Sequence, residues 1–227
     1  MIFRASDEWK TAYPHAYIGI LVMHKVTNPV NHEGLNQQKE AVEKKLRSLY
    51  MGYNRHDFEA LPAVQAYQSY YKEFKKTYHV LLQVESVVLK GKSIPTVAAL
   101  VEAMFMAEIE NMLLTAGHDL DSLKLPVQVK AARGNEIYTL MNGQQQVLKS
   151  GDMYIADGQG IISSIIYGPD SRTQINAATK SVLFTVYAPP GIKAGMLSHH
   201  LETIRDNVLI VSEGAQVELL QIFGAGQ

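Results

Sequence analysis

Apolar and polar positions along this chain follow two periods, and the change between them falls near Pro126. The run Tyr17 to His24, apolar and partly β-branched, reads as a buried strand that ends before the turn pair Asn28-Pro29. From Asn36 to Tyr50, charges and apolar residues recur at helical spacing. Tyr67, Tyr70, Tyr71, Phe74 and Tyr78 return at three and four residues and predict the aromatic face of a second helix. Lys72, Lys75, Lys76 and His79 lie largely off that stripe, a pattern that suits either a solvated face or a phosphate backbone. A third helix is predicted from Val80 to Leu89, stopping at Gly91. A fourth is predicted from near Pro95 to about Thr115, with Gly117 as its C-cap.

The fourth helix carries an anomaly. Val97, Leu100, Val101, Met104, Phe105, Ile109 and Met112 form one stripe, Glu108 falls near its middle, and Asn111 lies at its border. A buried carboxylate must be paired or serve a site. Two readings therefore stand for Glu108: a structural pair with a buried Tyr or Arg, or an acid lining a pocket.

Beyond Pro126 the period becomes two. Val127 to Ala132, Ile137 to Leu140, Gln146 to Leu148, Met153 to Ala156 and Ile161 to Ile166 read as short strands, with hairpin turns at Asn142-Gly143 and Gly158-Gln159-Gly160. Val182 to Tyr187 predicts another strand, Ala194 to Asp206 a helix, and Val208 to Phe223 a return to strand. With no repeat, linker or composition break, the pattern predicts a single α+β domain over residues 1–227, in which residues 1–70 form a strand and helix extension and helices precede sheet.

Composition narrows the setting. The chain has 227 residues and no cysteine, which removes disulfides, thiolate metal sites and cysteine nucleophiles and fits a cytoplasmic address. Residues 1–10 carry neither a signal-peptide nor a transit-peptide bias, and no apolar run reaches membrane-helix length. The formal net charge is −1 with no basic arm, so any contact with RNA must use a local patch, and neither DNA nor a membrane is an expected partner.

Familiar catalytic signatures are missing: no phosphate loop, dinucleotide fingerprint, nucleophile elbow or zinc helix is present. Only His199 and His200 of the eight histidines are adjacent, and neighbours on a helix diverge, so neither a metal nor a cofactor is expected. Two polar clusters remain. Thr115-Ala116-Gly117-His118-Asp119-Leu120-Asp121 sets a histidine and two carboxylates at the predicted helix exit, where either catalysis or capping would explain them. Tyr167-Gly168-Pro169-Asp170-Ser171-Arg172-Thr173 has turn chemistry, and it offers an acceptor, a cationic fork and a hydroxyl suited to a small zwitterion or carboxylate.

Between Lys92 and Ile192 the chain carries, in order, Ile94-Pro95, Val101-Glu102, His118-Asp119-Leu120-Asp121, Val129-Lys130-Ala131-Ala132, Asn135-Glu136, Leu140-Met141-Asn142-Gly143, Ile155-Ala156-Asp157, Tyr167-Gly168, Thr179-Lys180 and Val182-Leu183-Phe184. This order of landmarks resembles the B3/B4 editing domain of the bacterial phenylalanyl-tRNA synthetase beta subunit. Tyr71 to Lys92 is similar to the helical lead-in of free-standing members. The resemblance implies N-terminal helices packed on a mixed, mostly antiparallel, barrel-like sheet. It also implies hydrolysis of a mischarged aminoacyl-tRNA ester by a positioned water, with tRNA or a small amino-acid-like ligand as partner.

Residue by residue, the family's editing histidine falls on Ala116, its tyrosine-reading glutamate on Thr185 and its pocket asparagine on Phe105, whereas Glu102 keeps an acidic position and Gly168 is retained. These departures imply a changed specificity. The expected site combines His118 and Asp170 as catalytic groups with Glu102, Glu108, Gly168, Arg172 and Thr173 as ligand-binding groups. His118 would act on water, Arg172 on a carboxylate or phosphate, and Asp170 on an ammonium. The rival expectation is a module of the same fold that binds an amino-acid-like ligand or another protein without catalysis.

Overall fold

A computed structural model describes residues 2–226, so Met1 and Gln227 of the single-domain expectation lie outside the described residues. The chain opens with β1 (Phe3–Ala5), α1 (Asp7–Ala12), β2 (Tyr17–His24), α2 (Glu33–Leu49), α3 (Arg55–Glu59), α4 (Pro62–Glu73), α5 (His79–Val88) and α6 (Ala99–Asn111). It continues through β3 (Leu114–Asp119), a 3-10 turn (Leu120–Ser122), β4 (Val127–Ala131), β5 (Ile137–Thr139), β6 (Gln145–Val147), β7 (Met153–Ala156) and β8 (Ile161–Ser164). The last elements are β9 (Gly168–Pro169), β10 (Ser181–Ala188), α7 (Ala194–Val211) and β11 (Gln216–Gly224).

The architecture is α+β, with strands divided among three sheets. One has the order β1-β4-β7-β8-β9, one β11-β2-β10-β3, and β5-β6 form a separate hairpin. Every pair is antiparallel except β1 with β4. Among the described residues no sheet closes on itself, so the strands do not make the barrel that the resemblance implied. Helices do not simply precede sheet: β2 lies between β11 and β10 in the middle of the four-stranded sheet. Among the described residues no helix is long and apolar enough to cross a membrane.

Several predicted elements stand where expected. The apolar run of β2 is buried through its interior because both of its edges are paired. Asn142-Gly143 turns the β5-β6 hairpin, with Leu140 and Gln144 bonded across it.

The fourth helix is the main correction. It begins at Ala99 and ends at Asn111, and Leu114–Asp119 is a strand paired to β10. Met112 makes the break by taking a left-handed conformation (φ 56°, ψ 37°), and its N–H bonds the Glu108 carbonyl at 2.7 Å. Gly117 is therefore no C-cap. It sits inside β3, where a Cβ would lie 2.7 Å from Ile175 and 3.0 Å from Met104, so its smallness allows the strand to lie close to those side chains.

The aromatic stripe also crosses an element boundary. α4 ends at Glu73, Lys75 is left-handed (φ 56°), and Tyr78 caps α5. All five aromatic side chains face the core: Tyr67, Tyr70, Tyr71, Phe74 and Tyr78 are buried. Their hydroxyls serve the backbone of distant segments. Tyr71 donates to the Ile165 carbonyl at 2.7 Å, Tyr78 donates to the Met112 carbonyl at 3.0 Å, and Tyr70 accepts the Met153 N–H at 2.6 Å. Tyr67 accepts the Leu114 N–H at 2.9 Å and donates to the Tyr187 carbonyl. Near the C-terminus, α7 runs to Val211, five residues beyond the predicted end, so only Gln216–Gly224 of the last segment is strand.

Tyr67→Phe keeps the ring but orphans a buried N–H and a buried carbonyl, and is expected to destabilise the protein by about 2–4 kcal/mol. The exposed Tyr53→Phe should change stability by less than about 0.5 kcal/mol. Urea unfolding of the two variants checks the difference.

Candidate functional site

The reversal from α6 into β3 places the Glu108 side chain beneath the first strand residues. Its Oε1 accepts the Thr115 N–H at 2.7 Å, and no other partner of its carboxyl is found among the described residues. Around it is a cavity of about 210 Å³. α5 contributes His79 and Gln83 to its wall, and α6 contributes Met104 and Phe105 beside Glu108. β3 adds Leu114, Thr115 and Ala116, and the opposite side is closed by Ser164, Ile165, Gly168, Pro169 and Tyr187. A more apolar hollow of about 390 Å³ shares His79, Gln83 and Phe105 with it and carries Lys92 at its rim.

Glu108 is 5% exposed, and burial pushes its pKa up to about 8, with the Thr115 N–H pulling weakly the other way. At neutral pH it is mainly the uncharged acid. The phenols of Tyr67, Tyr71, Tyr78 and Tyr187 are raised by burial too, and burial lowers His79, so its surroundings supply no charge. The Gln83 Oε1 is buried and has no hydrogen-bond partner among the described residues.

Of the residues anticipated from sequence, Glu108 and Gly168 line this cavity. Gly168 begins β9 with φ +83°, a backbone state that suits glycine, and its carbonyl accepts the Tyr138 hydroxyl at 2.7 Å. His118, Thr173, Asp170 and Arg172 are brought together elsewhere, as a chain of bonds. The Thr173 hydroxyl donates to Asp170 Oδ1, which makes it the acceptor for His118 Nδ1–H at 2.8 Å. Thr173 N–H also reaches Asp170 Oδ1, at 3.1 Å. Arg172 grips Asp157 with two bonds of 2.9 and 3.0 Å, donates to the Ser122 carbonyl at 3.0 Å, and stands 3.7 Å from Asp170.

This chain is buried. His118 and Thr173 have no exposed surface, and burial drives the His118 pKa down to about 3, leaving a neutral ring whose Nε2 has no partner among the described residues. His118 stands on β3, seven residues past the end of α6, so a helix-dipole effect on it does not apply. Asp119 caps the following 3-10 turn and accepts bonds from Asn176 and Thr179. Glu102 is held by Lys39 Nζ and the Val97 N–H, both at 2.7 Å, where α2 meets the start of α6.

Among the cavity residues that the sequence-derived site omits are His79, Gln83, Ser164 and Tyr187. Gln83 had a visible signal, as a polar interruption in the apolar helix His79–Val88. Two larger hollows lie elsewhere. One of about 430 Å³ contains Glu136, whose carboxylate is occupied by the N–H groups of Arg133, Gly134 and Asn135; the other, of about 720 Å³, runs between the edges of β1 and β11. Among the described residues no group of three His, Asp or Glu side chains is arranged to hold a metal ion.

Comparison with known proteins identifies the family. The B3/4 domain family matches residues 64–207. The phenylalanine–tRNA ligase beta subunit of Fusobacterium nucleatum subsp. nucleatum is 32% identical over 104 residues, covering 45% of this chain and 13% of that protein. The chain therefore corresponds to a small part of that subunit. A crystal structure of an N-terminal fragment of the phenylalanyl-tRNA synthetase beta subunit from Pyrococcus horikoshii aligns with 95% of this chain and 49% of the fragment, with a TM-score of 0.49 and 12% identity.

The buried acids set a pH signature. Folded Glu108 (pKa about 8) and Asp152 (about 7) keep protons that they release near 4.5 and 3.8 when unfolded, so their contribution is lost as pH rises toward 8. Buried His118 and His200, both near 3 against an ordinary 6.5, act oppositely and lose stability as pH falls below 6.5. Above that pH the histidine effect fades, partly offsetting the carboxyl effect to about pH 7.5, and the carboxyl effect dominates. Wild-type stability should drop by about 1–2 kcal/mol between pH 6.5 and 8, and Glu108→Gln should remove most of the decline above pH 7, as read by urea unfolding across that range.

Proposed function

This chain belongs to the B3/4 domain family, and from that premise we propose that it binds an aminoacyl group in the Glu108 cavity and hydrolyses the ester of mischarged aminoacyl-tRNA in trans. The observation that carries this reading is an uncharged carboxylic acid in a small cavity whose rim includes the glycine turn at Gly168. The Glu108 carboxylate, formed as pH approaches 8 or as a positive charge enters the cavity, can accept a proton from water. Water adds to the ester carbon, the bond to the ribose oxygen breaks, and that oxygen takes the proton, leaving a free amino acid and an uncharged tRNA end.

The cavity's own hydroxyls are engaged. Tyr187 bonds the Ser163 carbonyl and hydroxyl at 3.1 and 2.7 Å, and Ser164 Oγ accepts the Tyr167 N–H at 2.9 Å. That favours water over a serine as nucleophile. Lys92, on the wall of the adjoining hollow, and the Lys76 ammonium, 5.5 Å from the ring centre of Tyr167 next to Gly168 in the chain, are the positive side chains that would meet a phosphate backbone. With aminoacyl-tRNA as substrate, the protein would work in the cytoplasm.

The second reading, a module that binds an amino-acid-like ligand without hydrolysis, is favoured by one observation: His118 and Asp170 lie outside the cavity and are buried. In our reading the chain from His118 to Arg172 braces β3 against the loop after β9 and takes no part in chemistry. Asp170→Ala would then lower stability by about 2–4 kcal/mol and leave the rate per folded molecule unchanged.

A panel of correctly and wrongly charged tRNAs incubated with the purified chain is the test. Selective deacylation that falls at least about tenfold in Glu108→Gln, with the fold intact, is the expected result. No turnover across the panel, with amino-acid analogues still bound, would favour the binding module.

A further inference from the structure

The polar groups of the Glu108 cavity are unbalanced, and the imbalance specifies a ligand. The Gln83 Oε1 is a buried acceptor with no donor, and the Glu108 oxygen not bonded to Thr115, which carries the proton of the neutral acid, has no partner either, among the described residues. Three groups nearby are already paired. The Thr115 N–H is on Glu108, the Thr115 hydroxyl is paired with His200 Nε2 at 2.7 Å, and the Tyr187 hydroxyl is on Ser163. No lysine or arginine is among the cavity's described wall residues.

We propose that this cavity selects a small ligand bearing a protonated primary amine, held between the Glu108 carboxylate and the Gln83 side-chain oxygen, and that ligand entry drives one proton from Glu108 into solvent. The proposal rests on the reading of the cavity as the aminoacyl site and adds what that site recognises. An ammonium brings several donors to acceptors that have none and a charge to an acid whose surroundings offer no cation. The balance is simple: neutral Glu108 and the ammonium ligand become an ion pair plus one released proton.

The groups that face Glu108 leave this charge logic undisturbed. Tyr67 and Tyr71 on α4, Tyr78 at the cap of α5 and Tyr187 on β10 are phenols raised by burial, and His79 on α5 is lowered. All are uncharged at neutral pH, so the incoming ammonium is the compensating charge. The same inventory disfavours a free carboxylate, which would find no cation on the wall. An amino acid with its carboxyl esterified or amidated should therefore bind better than the free zwitterion.

Calorimetry on the full chain tests this, with alanine and methionine amides, their N-acetyl forms and the matching hydroxy-acid amides, each in two buffers of different ionisation heat. The amines should bind at least about tenfold more tightly than either uncharged analogue, release close to one proton at pH 7, and tighten as pH rises to about 8. Glu108→Gln, which keeps an acceptor for Thr115, should abolish proton release and weaken amine binding about tenfold, and Gln83→Leu should weaken it with little change in Tm. Equal binding of the N-acetyl or hydroxy analogues, or proton release that survives in Glu108→Gln, overturns amine recognition and leaves the aminoacyl reading standing. No binding of any analogue at millimolar concentration overturns it too. Deacylation of charged tRNA then decides whether the aminoacyl reading falls with it.

Discussion

The structure depends on one buried corner, the reversal of chain direction at residues 112–115. It is buried, so its backbone groups must find partners, and they find them in side chains. Tyr78 donates to the Met112 carbonyl, Tyr67 accepts the Leu114 N–H, and Glu108 accepts the Thr115 N–H. Three side chains from three segments thus close one turn. The stacked rings of Tyr67 and Tyr78, with centres 4.3 Å apart, fill the space beneath it. The cavity exists because α6 and β3 diverge from this corner, and its acid is there because the corner requires an acceptor.

Using a carboxyl for that purpose has an electrostatic consequence. The chain buries its acids in two ways. Glu102 with Lys39 and Asp157 with Arg172 are ion pairs, and Asp157, despite burial that raises it, is held below the usual carboxylate range by the Lys124 N–H and the Arg172 guanidinium. Glu108 and Asp152 have no such partner and stay protonated toward neutral pH. For Asp152, Tyr70 satisfies one oxygen and the other has no partner among the described residues. The paired acids fix elements to one another. The unpaired ones retain a proton that a cation can displace, and of these two only Glu108 lines the cavity.

How much of this was legible in the sequence follows from where the determining signals sit. The strand Tyr17–His24 and the hairpin at Asn142-Gly143 were readable because hydrophobic period and turn chemistry are local. The end of α6 was not. Residues 112–115 hold no glycine or proline, the break is made by a methionine in a left-handed state, and the nearby Gly117 offered a false cap while serving close packing. Glu108 stood out as an acid within an apolar stripe. Gln83 was visible only as a polar interruption in α5, and Ser164 and Tyr187 not at all, since nothing in their local pattern says that α5, β8 and β10 converge. The polar loop at 167–173 was visible as a cluster, but its commitment inward depends on Asp157, whose turn is remote from it in sequence.

The departures from the family pattern acquire a spatial meaning in the same cavity. The positions where the resemblance aligns the family's histidine and asparagine are occupied by Ala116 and Phe105, and both line the wall as apolar side chains. Glu108 lies three residues beyond Phe105 on α6, one turn further along nearly the same face, and Gln83 faces the cavity from α5. The acidic side chain of this wall thus stands one turn from the position that the resemblance assigns to the family's asparagine. The same carboxyl serves the fold and the cavity at once: Glu108 accepts the Thr115 N–H that the corner must satisfy, and it lines the space that opens beside that corner.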